Sequence, residues 1–142
     1  MLVDKVFENN WNDDFKINFT IPSYNRIDNL ISVINNFNNF TNHNFGIIIL
    51  DNKSSDFDLT RIINVLNYSK FGSKIYVNKK HLGPDANLLR SMELAVSEWV
   101  FMLGDSKILR TDIVDIVLKD IDQHSNLKSI VYSFDKVLLK PV

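Results

Sequence analysis

Cysteine is absent from the 142 residues. That excludes disulfides, thiol nucleophiles, thiolate zinc sites and iron–sulfur clusters together, and it fits a reducing compartment. Glycine is scarce, with 4 in the chain. No GxGxxG follows the first candidate strand and no GxxxxGKS/T occurs anywhere. The glycines that let backbone N–H groups close on phosphate in dinucleotide and P-loop sites are therefore missing. No apolar run approaches the ~20 residues of a membrane span; the longest, residues 47–50 and 99–103, are strand-sized. Asp4 and Glu8 interrupt what would have to be the apolar region of a signal peptide. No transmembrane segment and a cytoplasmic location are expected. Neither sign of charge prevails: Lys+Arg 16 against Asp+Glu 17 leaves a net charge of -1. Nothing electrostatic then favours nucleic acid or an anionic membrane as a partner.

What is present is alternation. Residues 16–21 (KINFTI) alternate polar and apolar as a strand does, and Ile27, Leu30, Ile31, Ile34 and Phe37 then recur at helical spacing. Residues 45–50 (FGIIIL) form a continuous β-branched run, the mark of a strand buried on both faces. Leu59, Ile62, Ile63 and Leu66 make a second helical stripe, and residues 74–77 a short strand. Pro84 suits a first helical turn, with Leu88, Leu89, Met92 and Val96 continuing that helix. Residues 99–103 (WVFML) read as a fourth strand, Ile113, Ile116, Val117 and Ile121 as a fourth helix, and residues 129–133 as a fifth strand. Strand and helix in alternation predict α/β architecture: a mostly parallel open sheet flanked by helices, in one domain over residues 1–142. Residues 1–14 read as a lead-in, with Val3, Val6, Phe7 and Trp11 at rough helical spacing, and residues 15–142 as the core. The strands near Phe19, Ile48, Tyr76 and Phe101 are expected side by side, the first and fourth adjacent at the sheet centre. Ile48, Ile49, Val100 and Met102 are expected to be buried.

Ligands of open α/β sheets bind beyond the carboxyl ends of the strands, and all four segments there are polar. Asp51 ends the second strand, where a carboxylate can accept from a ribose hydroxyl or a base N–H; it can equally terminate the strand and cap the next helix. Ser54, Ser55 and Asp56 are competing N-cap types. Asp105 follows Gly104, and an acid at a strand end can hold a divalent cation on phosphate oxygens, or simply sit in a solvated turn. His43, His81 and His124 lack metal-site spacing; only His81, in the third loop, is placed to meet a ligand. The ten phenylalanines fall at core-like positions and read as packing.

In sequence order the four loops resemble the family-2 glycosyltransferases of the GT-A fold. Residues 21–26 (IPSYNR) are similar to that family's P-x-Y/F-N-R loop, and residues 47–56 (IIILDNKSSD) to its D-D/N-x-S-x-D loop. Asn78, Gly83, Asn87, the helix after them and residues 98–105 (EWVFMLGD) are similar to the stretch leading into its metal-binding acids. The resemblance covers residues 16–121 and implies an inverting transfer from a nucleotide-diphosphate sugar to a saccharide acceptor, in surface polysaccharide synthesis. It implies that Pro22, Ser23, Tyr24 and Asn25 line the nucleoside and that Asp51 meets base or ribose. Asp85 and Asn87 would sit by base and phosphates, and Asp105 would be the first acid of a Mn²⁺ or Mg²⁺ site.

The chain departs from that pattern twice. Ser106 and Lys107 stand where further acids are expected, so the metal motif is broken, and Lys107 becomes a candidate phosphate contact in the ion's stead. The chain also stops at Val142, before the acceptor half of such enzymes, so no catalytic base is assigned. That gives a second reading, a degenerate nucleotide-binding or partner-binding module without turnover. A missing half would leave an apolar sheet edge, which favours a homo-oligomer. A response-regulator-like or flavodoxin-like domain also fits the alternation, but residues 22–24 offer no acidic cluster after the first strand.

Overall fold

A computed structural model describes residues 2–132. The chain forms β1 (Val3–Asn9), β2 (Ile17–Ser23), α1 (Ile27–Asn38), β3 (Gly46–Asp51) and α2 (Leu59–Leu66), followed by β4 (Gly72–Asn78), α3 (Pro84–Glu93), β5 (Trp99–Met102) and α4 (Ile113–Gln123). One five-stranded sheet runs in the order β1-β4-β3-β2-β5. The pairs β2/β3, β3/β4 and β2/β5 are parallel, as the alternating pattern predicts.

β3 lies in the middle, and all six of its residues are buried, the environment its unbroken Gly-Ile-Ile-Ile-Leu run is suited to. On one face, Ile17, Phe19, Ile21, Ile47, Ile49 and Ile75 meet the apolar stripes of α1, α2 and α4 in a single core. Phe19, Phe37, Phe40, Phe45 and Phe71 fill it with rings 5.0–6.3 Å apart, so the phenylalanines are packing. On the other face α3 lies against β2 and β3. There Asn18, fully buried, accepts from the backbone N–H groups of Val96 and Ser97 and fixes the entry to β5. From β2 the chain steps outward through β3 and β4, then returns to place β5 on the far side of β2. The order reverses at β2, so the crevice for a ligand opens at the carboxyl ends of β2, β3 and β5.

Four expectations are corrected. Residues 1–14 are not a helical lead-in: β1 is an antiparallel edge strand on β4. A register shift between Lys5 and Phe7 breaks its period of two, and a bulge of this kind hides a strand from periodicity. β5 is adjacent to β2, as expected, yet that pair is not at the centre. β5 is the other edge, so Val100 is only half-buried and Met102 is 48% exposed, whereas Ile48 and Ile49 are fully buried. α3 ends at Glu93, leaving Val96 beyond it. Leu89, Met92 and Val96 point outward, while Asn87 and Ser91 form the inner face. Residues 129–132 are not a strand, and the fifth strand of the sheet is instead β1, on the β4 edge; Ser133 falls outside the described residues.

Gly46 and Gly72 open their strands against the aromatic hook made by Trp11 and Phe15, whose rings meet edge to face at 5.9 Å. A Cβ on Gly72 would lie 2.5 Å from Phe15 Cε2 and 2.9 Å from the carbonyl oxygen of Asn10. The ring can turn; the carbonyl is fixed by its chain. Gly72→Ala is expected to cost about 1–3 kcal/mol, seen as a lower urea midpoint with an unchanged m-value.

Candidate functional site

Local chemistry at the three strand ends builds the site. After β2 the chain turns through Asn25, whose φ of 53° is left-handed, a conformation asparagine tolerates better than most residues. Its backbone N–H donates to Ser54 Oγ at 2.9 Å, and its side-chain oxygen accepts from the N–H of Ser55 at 3.2 Å. After β3, Lys53 takes a second left-handed turn, φ 57°, which brings Ser54 back onto Asp51. The Asp51 carboxylate accepts from both the N–H and the hydroxyl of Ser54. The cap of α2 is Asp58, which accepts from the N–H of Arg61; Ser54, Ser55 and Asp56 do not serve there. The N–H of Asn52 donates to the carbonyl of Ser23 at 2.8 Å, tying the two loops together.

Asp105 joins them from β5. Its carboxylate lies 3.4 Å from the Ser23 hydroxyl, which donates to it, and 3.6 Å from the Arg26 guanidinium. Ser23, Asn25, Arg26, Asp51, Ser54 and Asp56 then line one narrow crevice, closed behind by Ile27, Leu30 and Phe57. Asp105 touches it through Ser23 and Arg26. Pro22 is part of β2, opposite Leu50. Tyr24 stands outside the crevice, its ring 4.6 Å from that of His81. Asp85 is exposed in the first turn of α3. Asn87 turns inward, accepting from Asn78 and donating to the carbonyl of Leu50. Lys107 is exposed two residues beyond Asp105. Arg26, Asn52 and Ser54 carry the geometry, although sequence reasoning names none of them as a site residue and offers Ser54 only as a helix cap. Arg26 closes the IPSYNR run, and Asn52 and Ser54 stand inside the run that Asp51 opens, which is the available signal.

Both carboxyls are unusually dry: Asp51 is 1% and Asp105 9% exposed. Burial raises the pKa of Asp51, against the opposing hydrogen bonds from Ser54. Burial also raises that of Asp105, against Arg26 and the Ser23 hydroxyl. A divalent ion fits poorly here. No group of three acids or histidines is gathered among the described residues. Asp105 is a single carboxylate already facing a guanidinium, and its successors Ser106 and Lys107 bring one neutral and one cationic side chain.

A carboxyl with a higher pKa folded than unfolded binds more protons when folded, so stability falls as pH rises through that interval. For Asp105 the cost is absent below its ordinary value of 3.8 and complete above its raised one. Asp105→Asn is therefore expected to raise the melting temperature at about pH 7, with the gain shrinking to nothing below about pH 4. Calorimetric melts across that range check it.

Comparison with known proteins gives this geometry a context. Residues 19–136 match the model of glycosyl transferase family 2. Abequosyltransferase RfbV of Salmonella typhimurium is 32% identical over 113 residues, covering 78% of this chain and 34% of that protein. An uncharacterized glycosyltransferase of Rickettsia felis is 29% identical over 113 residues, covering 79% of this chain and 18% of that one. The chain thus spans about a third or less of these relatives' length. Among solved structures, S. aureus TarS in complex with UDP superposes with a TM-score of 0.70 at 18% identity, over 85% of this chain and 39% of that chain. The mannosyltransferase PcManGT from Pyrobaculum calidifontis, in complex with GDP-Man and Mn2+, gives 0.67 at 13%, over 75% and 32%. At such identities the structures speak for the fold, and the family match over most of the sequence decides the rest: this chain belongs to glycosyl transferase family 2.

Proposed function

We propose that the chain is the donor side of a glycosyltransferase, binding a nucleotide-diphosphate sugar whose sugar passes to a saccharide acceptor in surface polysaccharide synthesis. The observation that carries this reading is the crevice at the switch point of the sheet. There Ser23 with Asn25 and Arg26 just after β2, Asp51 with Ser54 just after β3, and Asp105 from the loop after β5 come together. The kinship with RfbV, named for abequosyl transfer, supports the polysaccharide assignment. The UDP and UDP-GlcNAc complexes of TarS support a nucleotide-sugar ligand.

In this reading the loop of Pro22, Ser23, Tyr24 and Asn25 faces the nucleoside. Asp51 accepts from ribose or base through the lone pairs that Ser54 leaves free, and Asp85 stands by the base or phosphates. Asn87 serves from beneath, holding α3 to β3. The leaving diphosphate needs positive charge. With Asp105 engaged by a guanidinium, Arg26 and Lys107 supply it as protein cations, without a requirement for Mn²⁺ or Mg²⁺. The acceptor surface and the catalytic base are assigned to the part of such proteins that this chain does not span, or to a second copy. Lys107 in an acid's place and the Arg26–Asp105 pair favour a second reading, a nucleotide-binding module without turnover.

Calorimetric titration with UDP-, GDP-, CDP- and dTDP-sugars, with hydrolysis followed in parallel, tests both. Binding with turnover supports the first reading, and binding without it the second; no binding by any of the four rejects both. Asp51→Asn is expected to weaken the preferred ligand by about 1–3 kcal/mol at an unchanged fold. Affinity is expected to be equal in EDTA and in Mn²⁺, to weaken with salt, and to drop in Lys107→Ala. A strong Mn²⁺ requirement in the native chain, or no effect of Lys107→Ala, would reject the protein-cation account.

A further inference from the structure

We propose that Tyr132 is an edge guard: its ring closes the open side of β5 to a strand from another copy of the chain. The role is independent of the donor-binding reading.

Two strands end the sheet, β1 and β5. An edge strand offers unpaired N–H and C=O groups to any extended segment, and folds blunt that hazard with charge, proline, a bulge or a cover. β1 has charge and a bulge: Asp4, Lys5 and Glu8, with a register shift between Lys5 and Phe7. β5 reads Trp-Val-Phe-Met, with no charge, no proline and an unbroken register. Apart from its short length, nothing in the strand itself resists pairing. The N–H groups of Trp99 and Leu103 donate to the carbonyls of Lys16 and Thr20, on the β2 side. By the alternation of a strand, the N–H and C=O groups of Val100 and Met102 point out of the sheet. No backbone partner for them occurs among the described residues. Two copies match there. In an antiparallel pair centred on Phe101, Val100 of one faces Met102 of the other and exchanges both bonds with it.

Tyr132 fills the place such a partner needs. The Phe101 ring lies 5.0 Å from that of Phe19 and 5.9 Å from that of Tyr132, nearly parallel to the latter at 13°. Phe19 belongs to β2, so Tyr132 takes the other flank of Phe101. Side chains directly opposite on paired strands have Cβ atoms about 4.5–5.5 Å apart. The Tyr132 ring thus stands where a side chain of an added strand would face Phe101. Its hydroxyl donates to Asp120 of α4 at 2.7 Å and holds the ring in place. Ile130 also packs on the core, while Val131 between them is 90% exposed. This alternation is what reads as a strand in the sequence. In the fold it brings side chains to the edge of β5 without pairing the backbone.

Sedimentation velocity across a dilution series and amide-resolved hydrogen exchange test the role on the full chain. The proteins compared are native, Tyr132→Phe, Tyr132→Ala, and Tyr132→Ala combined with Met102→Lys. In the native chain and in Tyr132→Phe, which keeps the ring, the Val100 and Met102 amides are expected to exchange fast. Tyr132→Ala is expected to approach about twice the native mass as concentration rises, with exchange at those two amides slowed roughly tenfold or more. Adding Met102→Lys places a charge on the bare edge and is expected to restore the native mass, which it would not do if the variant merely exposed its core. Slow exchange at Val100 and Met102 in the native chain would overturn the proposal. So would native mass for Tyr132→Ala at every concentration, equal association by Tyr132→Phe, or association that Met102→Lys leaves intact.

Discussion

One amide side chain ties the carboxyl end of the sheet together. Asn52 can donate twice and accept twice. It donates to the carbonyl of Leu82, accepts from the Leu82 N–H and accepts from Asn78, while its backbone N–H holds Ser23. Asn78 in turn donates to Asn87, which reaches the carbonyl of Leu50. The loops after β2, β3 and β4 and the start of α3 are thereby joined through one buried network. An aspartate at this position would lack the donor for Leu82, and a leucine would leave several buried polar groups unpaired. The same network occupies the inner face of α3, where a helix normally presents apolar residues.

The crevice beside that network is built against stability. Two carboxyls, Asp51 and Asp105, are buried at the strand ends, and burial raises both pKa values. A core selected for stability alone would not place them there; functional sites carry perturbed carboxyls of this kind. What compensates them is local and specific: two hydrogen bonds from Ser54 for the first, and Arg26 with Ser23 for the second. Membership of glycosyl transferase family 2 gives those groups a chemical context, and Lys107 marks where this chain departs from the family's acidic pattern.

Much of this is legible in the sequence, and the failures have physical causes. The parallel core strands and the helices α1, α2 and α4 follow from hydrophobic period, because their apolar residues face one core. β1 reads as a helical lead-in because a bulge and its charges, Asp4, Lys5 and Glu8, erase the alternation of an edge strand. The pattern of α3 puts the wrong face inward, since its buried positions, Asn87 and Ser91, are polar and Leu89 and Met92 point outward. Val100 and Met102 look like core residues, yet composition cannot say whether a strand is central or at an edge. In the site, Asp51 and Asp105 can be picked out because acids at strand ends are conspicuous. Asn52 cannot, since one asparagine among so many carries no mark of being the one that is buried. His81 can be placed in its loop, but its partner across β3 depends on strand order, which sequence does not print.

The pairing of β1 with β4 also governs when the fold can be completed. Val3 lies opposite Asn78, so β1 leaves the ribosome some seventy residues ahead of its partner. At translation rates of about 5–20 residues per second that wait lasts roughly 4–14 s, far longer than the microseconds in which hairpins form. β2 and β3, closer in sequence, have the means to pair in that interval. Closure of the β1 edge, with Trp11 and Phe15 seated over Gly46 and Gly72, therefore waits for β4, and until it occurs β4 offers an open side to whatever extended segment arrives first.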